Sequence, residues 1–279
     1  MSTWDDGTRP APVQLGLGAW ARILRRGIPL ALVVFGGLGL LLLLRLIERP
    51  LHGLNRPWTP AITQAVCRMS LRILGLSLHV TGAPMTSHGA MVANHGSWLD
   101  IFVLNAHAPI YFVSKSEVAG WPGIGWLARA TGTVFINRDR RDAEQQKQVL
   151  ETRLTAGHRL LFFPEGTSSD GARILPFKST LFAAFLSGGV KHDISVQPVT
   201  VSYTSPLEQD ERFYGWWGDM EFGSHMLKVL ATKHQGHVEA IYHEPLKVEN
   251  YSDRKTLARA AERAVREGFS PSGAVPEVL

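Results

Sequence analysis

The chain has 279 residues, 45% hydrophobic and only 19% charged, with 29 Lys and Arg against 24 Asp and Glu. That balance excludes a disordered chain, a collagen-like repeat and a disulfide scaffold, and the single cysteine excludes an intrachain disulfide and a cysteine-based zinc site. The net charge of +5 leaves nucleic acid and anionic lipid as the partners to be told apart.

Residues 1–26 read as an N-terminal tail that ends in Arg22, Arg25 and Arg26. From Gly27 to Leu44 no residue is charged, and Arg45, Glu48 and Arg49 follow. A helix over that run is about 27 Å long at about 1.5 Å per residue, close to the roughly 30 Å of a bilayer's hydrocarbon core. A secretory signal fits poorly, because the basic residues lie deep in the chain and no small-x-small cleavage site follows Leu44. A buried helix of a soluble domain is the other reading, but the leucines surround the axis. Residues 27–47 are therefore taken as a hydrophobic membrane anchor, its orientation open because arginines flank both ends.

Residues 59–80 differ in character. Ile62, Val66, Met69, Ile73 and Leu76 recur at helical spacing, and Arg68 and Arg72 fall one turn apart on another face. An amphipathic helical segment of this kind covers a domain core, lies on anionic lipid, or does both. Cys67 within it reads as a small packing residue.

Residues 81–269 alternate short apolar runs with helical stretches. Strands are predicted at Met91–Asn94, Ile110–Val113, Thr133–Ile136, Arg159–Phe163, Val196–Tyr203 and Val238–Tyr242. Helices are predicted at Asp142–Gly157, with Asp142 and Gln145 as a capping pair, and at Ser252–Gly268, where Lys255 leaves the box incomplete. The pattern predicts an α/β fold with a largely parallel sheet flanked by helices. Residues 270–279 read as a frayed tail.

Asn94-His95-Gly96-Ser97-Trp98-Leu99-Asp100 follows the first of these strands. In one continuous helix, residues five apart lie some 140° apart around the axis, so His95 and Asp100 would not touch. If the strand ends at Asn94 and the helix starts at Ser97, Asp100 folds back onto His95 Nδ1, fixing the tautomer and freeing Nε2 as a base. The plainer reading makes Asp100 the end of a Ser97-x-x-Asp100 capping box. Two further polar tips sit at strand ends: Arg138 after Phe135-Ile136-Asn137, and Glu165-Gly166-Thr167 after Phe163-Pro164. Ligands of α/β folds gather at such carboxyl ends.

Asn94-His95 with Asp100, Phe135-Ile136-Asn137-Arg138, Phe163-Pro164-Glu165-Gly166-Thr167 and Val196-Gln197-Pro198-Val199 resemble, in order and spacing, the motifs of the glycerolipid acyltransferase family. The likeness is to its lysophosphatidic acid acyltransferase branch and covers roughly residues 60 to 245. It implies a mixed sheet and a membrane-docking N-terminus. It also implies transfer of an acyl group from an acyl carrier protein or coenzyme A thioester to a lysolipid hydroxyl, at the cytoplasmic face of an inner membrane. By the same resemblance His95 is the base and Asp100 its orienting carboxylate. Arg138 is an anion-binding arginine, Glu165, Gly166 and Thr167 form the acceptor-binding turn, and Lys115 and Lys178 fall where basic residues are common. No cofactor or metal is implied.

Many phosphate-acceptor members carry an arginine after Glu-Gly-Thr, whereas Ser168 and Ser169 stand here. The run Ser168-Ser169-Asp170-Gly171 and Pro176 to Phe182 resemble the lyso-ornithine lipid acyltransferase subgroup. The expected acceptor is thus 1-acylglycerol-3-phosphate, lyso-ornithine lipid, or both.

Other classes fare worse. Gly166 to Gly171 puts the second glycine one residue too late for a Gly-x-Ser-x-Gly elbow. Gly120, Gly123 and Gly125 do not follow a strand, and His-Glu-x-x-His is absent. Arg138, Arg140 and Arg141 are diluted by Asp139 and Asp142, so nucleic acid is not expected. The rival from another class is a non-catalytic lipid-binding or carrier protein on the same fold. Trp216-Trp217 reads as core rather than as an interfacial aromatic surface.

Overall fold

The first helix, α1 (Leu17–His52), extends well beyond the uncharged run at both ends. In this computed structural model the described residues are 4–8, 15–137, 143–186, 194–207 and 209–270. The charged flanks stay helical because Arg22, Arg25, Arg26, Arg45 and Glu48 favour helix, and Gly53 closes the last turn with its N–H on the Arg49 carbonyl. One face of α1 is buried through Ala19, Ile23, Arg26, Leu30, Leu41 and Glu48, spaced by threes and fours or their sums as a single seam requires. That seam rests on helices α2 (Thr59–Leu74), α4 (Ile124–Thr131) and α6 (Phe222–Ala231). At Gly37 the approach is so close that a Cβ would run into the Val66 side chain. The other faces are apolar and open, with Leu32 and Leu46 69% and 72% exposed.

Two buried charges fasten this helix. The Arg26 guanidinium donates to the Leu230 and Thr232 carbonyls at the C-terminus of α6, where the helix dipole is negative. At the other end Glu48 accepts from the backbone N–H groups of Trp58 and Thr59 and from the Thr59 hydroxyl, capping α2 from outside.

Helix α2 ends at Leu74, earlier than the amphipathic pattern suggests. Gly75 adopts φ +79°, and the Gly75 and Leu76 N–H groups return to the carbonyls of Arg72 and Leu71 in a Schellman closure. The residues beyond it form a strand, β1 (Ser77–Thr81), whose alternation escapes the helical reading. Cys67 is buried in α2, and burial pushes its thiol up to about 12, so it packs rather than reacts.

The remaining strands are β2 (Gly89–Ala93), β3 (Tyr111–Lys115), β4 (Val134–Ile136), β5 (Leu160–Phe162), β6 (Ser195–Thr204), β7 (His237–Tyr242) and β8 (Leu246–Lys247). They form one eight-stranded sheet in the order β1-β7-β6-β2-β5-β3-β4, with β8 beside β6. The pairs β1–β7, β2–β5, β2–β6, β3–β4 and β3–β5 are parallel, while β6–β7 and β6–β8 are antiparallel. The sheet is therefore mixed and largely parallel.

Alternate side chains feed two cores. Met91, Ala93, Leu161, Val199 and Val201 pack on the side of α1, α2 and α6, together with α3 (Asp100–His107). Ala90, Val92, Leu160, Phe162 and Val196 pack under α5 (Ala143–Thr155), the 3-10 turn Leu181–Leu186 and α7 (Arg254–Gly268). Helix α7 is capped one residue later than predicted, at Asp253, and its box is complete: the Asp253 carboxylate takes the Thr256 N–H and the Thr256 hydroxyl contacts Asp253. The predicted cap at Asp142 lies outside the described residues. Phe213, Tyr214 and Trp217 are buried, as a core reading of that stretch requires.

Candidate active site

Strand β2 stops at Ala93, and the Asn94 side chain carries the pairing one residue further. Its amide donates to the Val201 carbonyl and accepts from the Val201 N–H, both at 2.8 Å. The chain then turns and delivers His95 at the carboxyl end of the sheet. His95 Nδ1 donates to Asp100 Oδ2 at 2.7 Å, and the ring stacks on Phe163 with centroids 4.0 Å apart. The side chain of His95 is 19% exposed and that of Asp100 is fully buried.

The helix that carries Asp100 begins at Asp100 itself, not at Ser97. Residues Ser97 to Leu99 form a turn because the Asp100 carboxylate draws their backbone inward: Oδ2 also accepts from the N–H groups of Gly96 and Ser97. Half of the capping-box reading is therefore present alongside the His95 contact, and both place the carboxylate at the positive end of α3. Asp100 Oδ1 accepts a 2.6 Å hydrogen bond from the Tyr203 phenol on β6. Burial raises the Tyr203 hydroxyl well above the usual tyrosine value, so it remains a donor.

The turn is held on every side. The His95 N–H donates to Glu165 Oε1 at 2.9 Å, its carbonyl accepts from the Ser169 N–H at 2.8 Å, and the Gly96 carbonyl accepts from the Trp216 N–H at 2.9 Å. A Cβ on Gly96 would lie 3.0 Å from the Gly171 Cα, so any larger residue would press these two loops apart. Trp98, inside the turn, donates its indole N–H to His225 Nδ1 at 2.8 Å. Burial drops His225 to about 3, which keeps it neutral and able to accept.

Glu165 is buried beneath the turn. Its second oxygen accepts from the Leu175 N–H at 3.0 Å, so the carboxylate ties the His95 turn to the segment after the Glu-Gly-Thr motif. Burial pushes Glu165 up to about 8 despite the two amide donors. Gly166, at φ +72°, spends its N–H on the Phe163 carbonyl, and Thr167 beside it is half-buried. Lys115 ends β3 and is half-buried, while Lys178 is exposed with its N–H on the Pro164 carbonyl. Arg138 lies outside the described residues.

His95, Asp100 and Glu165 are thus brought together as their motifs suggest. Asn94, Tyr203, Trp98 with His225, and Ser169 escape sequence reasoning. Only Asn94 carried a local signal, by its place at a strand end. Among the described residues no group of three or more His, Cys, Asp or Glu converges as a metal site would require. An imidazole oriented by a buried carboxylate, at an open strand end, is equipped to take a proton from a hydroxyl.

Residues 78–202 match a family model described as Acyltransferase. The chain is 58% identical over 253 residues to a lyso-ornithine lipid O-acyltransferase of Rhodobacter capsulatus, covering 91% of this chain and 92% of the relative. It is 41% identical over 180 residues to a lyso-ornithine lipid O-acyltransferase of Brucella abortus, covering 61% and 67%. A 1-acyl-sn-glycerol-3-phosphate acyltransferase of Neisseria gonorrhoeae is 43% identical over 96 residues, covering 34% and 38%. The crystal structure of a 1-acyl-sn-glycerophosphate acyltransferase from Thermotoga maritima shares the fold, with a TM-score of 0.64 at 22% identity over 90% of this chain and 94% of that one.

Proposed function

The chain belongs to the acyltransferase family, and from that premise we propose that it acylates the free hydroxyl of lyso-ornithine lipid, using an acyl carrier protein or coenzyme A thioester. The observation that carries this reading is the 58% identity, over nearly the whole chain, to a protein named for that acceptor. The serines at 168 and 169 support it, since a phosphate monoester favours a bidentate guanidinium there. 1-Acylglycerol-3-phosphate is the second acceptor to test, because a relative named for it is 43% identical over 96 residues.

In this reading His95 Nε2 takes the hydroxyl proton as the oxygen attacks the thioester carbonyl. The new C–O bond forms, the C–S bond breaks, and the imidazolium returns the proton to the leaving sulfur. Asp100 holds Nδ1–H and balances the imidazolium charge, and Glu165, Ser169 and Trp216 keep the turn in register. General-base help of this kind contributes about 10² to 10⁴-fold. The thioester brings its own leaving group, so the reaction needs no cofactor. Arg138, Lys115 and Lys178 are the candidates for holding the acidic donor or a headgroup.

The apolar faces of α1 support docking to a bilayer with the helix lying along it, since the same helix is packed lengthwise on the domain. The cytoplasmic leaflet is the expected side, where thioester donors are found.

The test is acyl transfer by purified protein to each acceptor, with each donor. Ornithine lipid formed from lyso-ornithine lipid, and lost on His95→Ala with the fold retained, is the expected result. Turnover of neither acceptor, with lipid binding intact in wild type and His95→Ala alike, would overturn it in favour of a carrier.

A further inference from the structure

Between Glu165 and Arg173 the loop over the catalytic turn contains a single cation, Arg173 itself. Its side chain is held from two sides. Asp170, fully buried, accepts from Arg173 Nε at 3.1 Å, and its other oxygen lies 2.8 Å from Arg173 Nη2. The Ala172 N–H fixes the same carboxylate from the backbone. The Trp4 ring lies over the guanidinium, 5.0 Å from its carbon. The side chain nevertheless stays 51% exposed, and the Nη1 edge is not used by Asp170.

This loop touches the reaction centre directly. Ser169 donates to the His95 carbonyl, its hydroxyl donates to the Arg173 carbonyl at 2.9 Å, and Gly171 packs on Gly96.

We propose that Arg173 binds the carboxylate of the acceptor's amino-acid headgroup. The charge balance selects that ligand. Asp170 and Arg173 sum to zero, so the pair gives little net attraction to a phosphate dianion, whereas an ornithine headgroup carries one carboxylate and one ammonium and is itself neutral. A guanidinium already held on one edge presents its other edge to one planar carboxylate with little entropy left to lose. In lyso-ornithine lipid only an amide and a few carbons separate the hydroxyl from the carboxylate, a spacing short enough to be served by one loop.

The inference rests on lyso-ornithine lipid being the acceptor, and the experiment separates the two. Wild type is assayed with lyso-ornithine lipid and with its carboxylate methyl ester, and Arg173→Gln and Arg173→Lys with both. Wild type should show about a tenfold higher KM for the ester with kcat little changed, the loss of one charge-assisted contact. Arg173→Gln should show the high KM with both acceptors, and Arg173→Lys should recover part of the discrimination. Equal use of acid and ester by wild type overturns the role of Arg173 while leaving the acceptor assignment standing, and it needs no variant to fold. An equal rise in KM for both acceptors in Arg173→Gln also overturns it, as a structural effect. Absence of any transfer to lyso-ornithine lipid by wild type removes the acceptor reading and this one with it.

Discussion

Tyr203 donates its phenolic proton to Asp100 Oδ1 across 2.6 Å, on the carboxylate oxygen that His95 does not use. The strand that pairs with β2 thus reaches over the His95–Asp100 turn and holds the Asp100 carboxylate from behind. Tyr203→Phe removes the donor and keeps the ring. We expect kcat to fall about tenfold, roughly 1.4 kcal/mol, with KM for the acceptor little changed. An effect on KM with kcat unchanged would mean that the phenol serves packing alone.

Glu165 links stability to pH. Its folded value, about 8, lies above the ordinary 4.5 because burial penalises the charged form. The folded chain therefore holds this proton where the unfolded chain has lost it, so the contribution is complete below about pH 4.5 and fades as pH rises through about 8. Glu165→Gln should flatten that decline in tryptophan-monitored unfolding. It should also cost about 1–3 kcal/mol at low pH, since an amide accepts from only one of the two backbone donors. Parallel pH curves for wild type and variant would exclude Glu165 as the source.

His158 and His225 act in the opposite direction. Burial lowers His158 to about 4, helped by Arg153 nearby, and His225 to about 3. Both are neutral when folded, so their stabilising contribution is present above the ordinary value of 6.5 and is lost as pH falls toward 4 and 3. His158 stacks on Tyr111 at 4.3 Å, a contact that phenylalanine preserves. His158→Phe should lose less stability than wild type between pH 7 and 4 in thermal melts; an identical loss would remove His158 from the account.

The fastening of α1 predicts local effects. Glu48→Ala leaves the first N–H groups of α2 without acceptors, a loss of about 0.5–2 kcal/mol. Arg26→Met leaves carbonyls at the end of α6 without donors. Hydrogen exchange should rise in the first turn of α2 for one variant and in the last turn of α6 for the other. A uniform rise over the whole domain would instead indicate that the charges serve global stability only.

How far the sequence could be read follows from distance along the chain. Strands β2 to β7 were legible within a residue or two, because each is an apolar run bounded by glycine, proline or charge. The His95–Asp100 contact was legible because both residues belong to one turn. Tyr203, Trp98 with His225, and the two fastening charges of α1 were not. Each joins residues ten or more apart, and a lone Tyr, His, Arg or Glu carries no mark of its distant partner. Strand β1 was hidden by a different cause: the helical spacing of Ile73 and Leu76 continues across the Gly75 reversal, so periodicity alone overruns it.

The seam of α1 bears on how this protein can be handled in solution. Deleting the hydrophobic N-terminus is the usual route to a soluble fragment of an anchored enzyme. Here it would strip the roof from the core that contains Leu71, Leu74 and Val229, and would leave two helix ends uncapped. The apolar helix is also a wall of the enzyme. Solubility has to be sought on its outer faces, at positions such as Leu24, Leu32 and Leu43, while its buried stripe stays intact.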